Sequence, residues 1–365
     1  MNRTNRIIVA IGICFCVLLF LAGEPRFAAQ DDTTRLHVNV VLVQLSVAVT
    51  DHKGNYITGL RPEDFQITED KIPQKIATFE EGTGTTGSPD QNKGPAEPAP
   101  VAPAIQPAAL ESSSDGSSGV KISPLAGANI FILFDTSNYM YRGFVFAQDA
   151  IADFVRSLDD ASKIAFYSYS RDLSRATMLT PDRFRVVSGV RSTVAGDDAA
   201  LYNSLLLTVK DAAPLTGRKA IVVFSNGPDN ASSVPPEDVA ELAQSTGTIV
   251  YIVSTRLAQE DPVSTAAFER MSRATGGKAY FAGTWRKEKQ AFDSIREDLG
   301  HLYSISYYPQ YNANRGWRSI SVKLVGKDLQ KYRIRTRDGY SLQEQTQVNS
   351  EAYLAPEGAV DLDPK

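Results

Sequence analysis

The sequence predicts an α/β protein: a doubly wound, mostly parallel sheet over residues 126–300, inserted in or flanked by an antiparallel β-sandwich. Three observations predict it. Through residues 126–300, apolar runs of strand length alternate with segments of helical period. Short strands with period-two alternation lie on both sides, at residues 35–81 and 302–345. Each flanking group is too small to bury a face alone, so pairing the two into one sandwich is the economical arrangement.

The chain opens with Arg3 and Arg6, then an uncharged, mostly apolar run over residues 7–23 that Glu24-Pro25-Arg26 ends. Residues 1–29 read as an export signal. Two fates stay open, cleavage or retention as an anchor. Cleavage is preferred, although Phe27 stands where a small residue is wanted before Ala28-Ala29. Both cysteines, Cys14 and Cys16, lie inside the apolar run, so the rest of the chain can use no disulfide, thiolate nucleophile or cysteine metal cluster.

In the first strand region Leu36, Val38, Val40 and Leu42 share a face, and then Leu45, Val47 and Val49 do. The change of parity predicts a bulge or a strand crossing between sheets. Asp51-His52-Lys53-Gly54 is a turn signal, and Arg61-Pro62-Glu63-Asp64 predicts a short helical turn before Phe65 and Ile67 start another strand. Residues 82–123 are rich in Gly, Ser, Pro and Ala and have too few large apolar groups to offset ordering entropy, so they read as a disordered linker. Within them Gly82-Thr83-Gly84-Thr85-Thr86-Gly87 fits a dinucleotide pattern, but a Pro/Ala-rich stretch follows and no helix, so nucleotide binding is rejected.

In the middle, Asn129-Ile130-Phe131-Ile132-Leu133-Phe134 has the continuous apolarity of a strand buried on both faces. Phe144, Ala147, Ile151, Phe154, Val155 and Leu158 mark a helix. Strands are expected around residues 164–167, 220–224 and 248–253. Helices are expected around Leu201, Leu205, Val209 and Ala212, from Pro236, around Phe268 and Met271 up to Gly276-Gly277, and around Phe292, Ile295 and Leu299. Strands joined by helices run parallel. In the last region Tyr303, Ile305 and Tyr307 share a face, Ile320, Val322 and Leu324 another, and Tyr332 alternates with Ile334. A polar tail, residues 346–365, reads as disordered.

A formal net charge of -4 argues against a protein whose work is neutralising phosphates, so no nucleic-acid partner is expected. The basic run Trp285-Arg286-Lys287-Glu288-Lys289 contains an acid and reads as a solvated helix face. The three histidines are scattered, and neither His-x-x-x-His nor G-x-S-x-G occurs. The tyrosines from Tyr303 to Tyr311 have two readings, an exposed binding strip or, preferred at β spacing, a sandwich core.

Four segments carry a resemblance. Ile130-Phe131-Ile132-Leu133-Phe134-Asp135-Thr136-Ser137-Asn138-Tyr139, Ala200-Leu201-Tyr202, Ile221-Val222-Val223-Phe224-Ser225-Asn226-Gly227 and Ala274-Thr275-Gly276-Gly277 resemble, in order and spacing, the type A domain of von Willebrand factor. Val49-Thr50-Asp51, Gly59-Leu60, Glu63-Asp64-Phe65 and Glu69-Asp70 resemble the segment before that domain in exported bacterial proteins, notably of acidobacterial type. Tyr307-Tyr308-Pro309 and Arg337-Asp338-Gly339-Tyr340 resemble the segment after it.

The resemblance implies a metal-ion-dependent adhesion site, in which oxygen ligands from three loops hold Mg²⁺ or Mn²⁺ and a partner's carboxylate completes the shell. Carried onto this chain the site is degenerate. Asp135 and Ser137 match the first loop, but Tyr139 replaces its second serine, Ala199 stands at the threonine position and Asn226 at the aspartate position. Asp135, Ser137 and Asn226 are the remaining candidate ligands, with weak or absent Mg²⁺ or Mn²⁺ binding expected and Asp197, Asp198 or Asp229 as candidates to compensate. On the residues alone Asp135 is also readable as a helix N-cap, and Asn226-Gly227-Pro228-Asp229 as a plain turn.

The function expected is therefore non-enzymatic adhesion-type binding outside the cytoplasm, to a protein or extracellular-matrix ligand, secreted or periplasmic. Membrane contact is expected only through an uncleaved N-terminal segment. The expected contact residues are Asp135, Ser137, Tyr139, Ala199 and Asn226. Two alternatives stand beside it: a cell-envelope hydrolase, and a passive envelope scaffold whose sandwich mediates assembly.

Overall fold

The structure is a computed structural model that describes residues 42–82, 86–87, 127–158, 163–256 and 259–342. The expected signal (1–29), most of the linker, the tail and the even-parity residues Leu36, Val38 and Val40 lie outside the described residues.

Six strands form the central sheet: β6 (Asn129–Asp135), β7 (Lys163–Tyr169), β8 (Leu173–Thr180), β9 (Lys219–Ser225), β10 (Thr248–Ser254) and β11 (Ala279–Phe281). Their order is β11-β10-β9-β6-β7-β8. Counted within the sheet this is 3-2-1-4-5-6 read from the other edge, a doubly wound order. All neighbours are parallel except β7 and β8. The sequence reading contains no strand at β8. That strand follows β7 after residues 170–172, too short a connection for a crossover, so it returns antiparallel at the edge.

Helices cover both faces. On one lie α1 (Phe144–Ser157), α2 (Arg183–Arg191) and α6 (Trp285–Gly300), whose Ile151, Val186 and Phe292 pack on Ile132, Phe166 and Val222. On the other lie α3 (Leu201–Ala212), α4 (Pro236–Thr246) and α5 (Pro262–Ala274), whose Leu205, Val239 and Phe268 pack on Leu133, Ile221 and Val250. Strands sandwiched this way have no solvent face, which is why β6, β9 and β10 read as unbroken apolar runs. At the end of α5, Gly276 has φ +81°, and a Cβ on Gly277 would stand 2.1 Å from the Val250 carbonyl oxygen. The Gly-Gly pair thus stops the helix and lets the chain pass against β10.

The flanks interleave. From the N-terminal side come β1 (Val43–Thr50), β2 (Phe65–Glu69), β3 (Ile72–Gln74), β4 (Ile76–Glu81) and β5 (Thr86–Gly87); from the C-terminal side β12 (Tyr303–Tyr307), β13 (Trp317–Leu324), β14 (Arg333–Arg335) and β15 (Gly339–Ser341). They build two antiparallel sheets, β14-β1-β12-β4-β5 and β15-β13-β2-β3, each with strands of both flanks. Val43, Leu45, Val47, Phe65, Phe79, Tyr303, Tyr307 and Tyr340 share their core. Tyr303 and Tyr307 are therefore core residues, whereas Tyr308 and Tyr311 are exposed. Within β1 the alternation runs unbroken from Val43, with Leu42 exposed just before it, so no bulge falls inside the strand. A short 3-10 turn spans Pro62–Asp64 as expected. Thr86 and Gly87, read as linker, instead pair with Glu80 and Phe79, because ladder hydrogen bonds need backbone rather than apolar side chains.

Asp298, near the end of α6, joins the two units. Its buried carboxylate accepts hydrogen bonds from Tyr56, from Tyr251 on β10 (2.6 Å), from Lys278 (3.2 Å) and from Arg335 on β14. Burial works to raise its pKa, and Arg335 and Lys278 outweigh that, so the net shift is downward. Arg337 adds a bond to the Gln44 carbonyl (3.0 Å) and another to that of Gln244 on α4.

Candidate functional site

Parallel strands deliver their carboxyl ends to one rim, the place where open α/β sheets bind ligands. Here β6 ends at Asp135, β7 at Tyr169 and β9 at Ser225. Three segments meet above them and are laced by backbone hydrogen bonds. Asn138 N donates to Asp197 O (2.8 Å), and Gly196 N to Thr136 O (2.7 Å). Asn230 N and Ala231 N both donate to Ala199 O (3.0 and 3.1 Å). The structure thus brings Asp135, Ser137, Ala199 and Asn226 to one rim.

Asp135 is fully buried and anchors the site. Its Oδ1 accepts the Ser137 amide (2.9 Å), an Asx turn, and its Oδ2 accepts the Ser225 hydroxyl (2.9 Å). Tyr169 donates to the same Ser225 Oγ (3.1 Å). Helix capping is not its role: the 3-10 turn Asn138–Gly143 that follows β6 has Ser137 at its N-cap, and α1 has Gly143. Burial pushes the Asp135 pKa up, against the Ser137 and Ser225 hydrogen bonds that lower it. Ser137 Oγ and Asn226 Oδ1 are buried and have no hydrogen-bond partner among the described residues.

The oxygen set falls short of what a hard dication needs. Mg²⁺ wants about six oxygens in near-octahedral array. Of the five positions the resemblance assigns, Tyr139 points to solvent, Ala199 contributes a buried methyl, and only Asp135 carries charge. The candidate compensators are otherwise engaged. Asp229 accepts from Tyr202 N (3.0 Å), Ser232 N (2.9 Å) and Ser232 Oγ (2.6 Å). Asp198 pairs with Arg171 and accepts from Asn230 (3.3 Å), while Asp197 is exposed at the surface. Among the described residues no group of three or more His, Cys, Asp or Glu is placed to hold a metal ion.

Of the five expected contact residues, Asp135, Ser137, Ala199 and Asn226 are buried, and Tyr139 alone reaches solvent, at 40% exposure. The surface above them comes from a segment the motif comparison passed over. Tyr141, Val145, Phe146 and Trp285 are all exposed, and Tyr139, Phe146 and Trp285 line one groove beside the rim. The 3-10 turn Asn138–Gly143 and the start of α1 hold Tyr141, Val145 and Phe146 out, and the start of α6 holds Trp285. The basic run at the start of α6 also differs from its reading as a wholly solvated face. Arg286, Lys287 and Lys289 face water, but Glu288 turns inward, three residues after Trp285 and four before the core residue Phe292.

Among the described residues no helix is long and apolar enough to cross a membrane. No family model matches the chain, and no curated protein does. Solved structures to which it is similar include an aerotolerance-related membrane protein from Bacteroides fragilis, 16% identical with TM-score 0.41, over 47% of this chain and 98% of that one. Another is the vWF domain of the type V pili tip protein Mfa5 from Porphyromonas gingivalis, 10% identical with TM-score 0.42, over 52% and 99%. A third is a von Willebrand factor type A protein from Catenulispora acidiphila, 10% identical with TM-score 0.41, over 58% and 66%. The strand order, the helices on both faces and the loops gathered at the carboxyl rim make the middle of this chain a von Willebrand factor type A-like fold.

Proposed function

We propose that the protein is an exported, non-enzymatic binding protein that holds a protein partner at the carboxyl rim of its type A-like sheet. The observation that carries the reading is the exposed group Tyr139, Tyr141, Phe146 and Trp285 beside three mutually bonded loops. Large aromatics on a rigid frame are costly to leave in water and are enriched at protein interfaces. Asp135, Ser137, Ala199 and Asn226 lie buried in the same loops, with Tyr139 exposed. Binding at this rim depends little on metal, because one carboxylate with both oxygens engaged is a poor Mg²⁺ or Mn²⁺ site. Export rests on the apolar run of residues 7–23.

A photo-crosslinking residue placed at Tyr139, with one at Tyr311 on the sandwich side as comparison, tests this in cells. Crosslinks to an envelope protein from position 139, undiminished by EDTA, are the expected result. Crosslinks from position 311 alone favour the passive scaffold, and loss of the 139 product on chelation restores a metal-dependent site.

A further inference from the structure

The first turn of α6 and the segment from Tyr139 to Ala147 enclose a groove of about 270 Å³ beside the rim. Its walls are Tyr139, Phe146 and Trp285, with Met140 and Ala147 between them. Among the described residues one charged side chain lines it, Glu288, which is only 8% exposed. Among the described residues nothing pairs with that carboxylate. Two opposing effects act on it. The positive end of α6 favours the anion by about 0.3–1 kcal/mol. Burial outweighs this and pushes the pKa up to about 6. At neutral pH the groove therefore holds a mostly ionised, largely buried carboxylate that has no partner among the described residues. Buried charges in proteins are paired or neutralised. Among the described side chains of the same helix turn, Arg286, Lys287 and Lys289 are exposed, and the Arg286 guanidinium lies over the Trp285 ring, 5.3 Å from its centroid.

We propose that this groove receives a lysine side chain of the partner protein, with Glu288 as its counter-ion. The aromatic and methionine walls take the apolar stem, and the aromatic faces add attraction for the ammonium. A carboxylate accepts a guanidinium through both oxygens as readily as an ammonium, so Glu288 asks for a basic side chain, and lysine, with the more compact head group, is the occupant assigned to a groove of this volume. The proposal rests on the rim being the contact face, and it names the chemistry of what the rim grips.

The test uses the full chain with Trp317→Phe, which leaves Trp285 as the sole tryptophan of the two present. Nα-acetyl-lysinamide and its uncharged isostere Nα-acetyl-norleucinamide are titrated while Trp285 emission is read. The expected result is saturation by the lysine compound in the millimolar range, with at least tenfold weaker binding of the norleucine compound and of lysine to the Glu288→Gln variant. Equal responses to the two compounds, or unchanged lysine binding by Glu288→Gln, overturn the assignment. Unfolding of Glu288→Gln is measured alongside. A midpoint at or above the parent's is expected for an unpaired carboxylate, and a clearly lowered one shows that the chain itself pairs Glu288 and ends the proposal. Crosslinking from Tyr139 without lysine discrimination removes this assignment and leaves the rim reading standing.

Discussion

Asp298 at the junction with the sandwich and Asp135 at the rim are both fully buried carboxylates, yet their surroundings are opposite. Asp298 is met by two cations and two phenols, and its pKa falls. Asp135 is met by one amide and one hydroxyl, and its pKa rises. The sandwich repeats the first pattern: Glu69 accepts from Arg318 and Tyr307 (both 2.8 Å) and from Tyr340 (3.0 Å). Where the chain joins its parts, the buried carboxylates Asp298 and Glu69 are each met by a cation and by phenols, although Tyr280 OH, Thr336 Oγ1 and Arg337 Nε have no partner among the described residues. At the rim Ser137 Oγ, Asn226 Oδ1 and the Glu288 carboxylate are left without partners among the described residues. Polar groups that a fold leaves unsatisfied at a ligand-binding edge point to contacts made with something else.

The comparison breaks most visibly at the junction. Asp298→Ala strands Arg335 and Lys278 without their shared anion, and removing one partner of a buried pair costs about 3–5 kcal/mol. Urea unfolding of the variant checks this, and a loss under 1 kcal/mol would show that the junction is not held by this cluster. Next in size is Gly277→Ala. The added methyl collides with the Val250 carbonyl, and overpacking of this kind costs about 1–3 kcal/mol. Its unfolding midpoint should fall while Trp285 emission, read in the Trp317→Phe background, stays unchanged.

The pH dependences sharpen the contrast because their signs differ. The folded pKa of Asp298 is lowered, so its contribution is present above the ordinary carboxylate value and is lost as pH falls through the folded one. That of Asp135 is raised, so folding favours its protonated form, and the contribution present in acid is lost as pH rises through the folded value. Relative to Asp135→Asn, the parent protein should therefore gain stability as the pH is lowered from neutral. Relative to Asp298→Asn it should lose its advantage over the same descent. Parallel slopes for the two pairs would erase the distinction. The smallest effect is expected from metal. Millimolar Mg²⁺ should leave the unfolding temperature essentially unmoved, since a ligand far below its Kd adds almost no stability. A clear upward shift would show the rim oxygens to be a better site than their number suggests.

The regular elements of the α/β sheet were legible in sequence where burial on both faces makes a strand uniformly apolar, as in β6, β9 and β10. The edge strand β8 was not, because its solvent-facing residues, among them Arg175 and Met178, dilute both the alternation and the apolarity. In the rim, the family resemblance located Asp135, Ser137 and Asn226, but not Ser225, whose hydroxyl reaches the carboxylate, nor Tyr169, whose hydroxyl reaches Ser225. Nor did sequence show that Asp198 and Asp229 are already engaged, or that Glu288 leaves its basic run and turns inward.

Periodicity is a local property, so the amino-acid order alone determined which segments are strands or helices, that the sheet is mostly parallel, and that the flanks are β. Pairing and burial are not local. Only the tertiary structure decided that strands of both flanks combine within each sandwich sheet, that Asp298 is met by cations while Asp135 is not, and that Tyr139, Phe146 and Trp285 share a groove. A side chain's solvation and charge partners depend on residues up to hundreds of positions away, and nothing in its own neighbourhood of sequence encodes them.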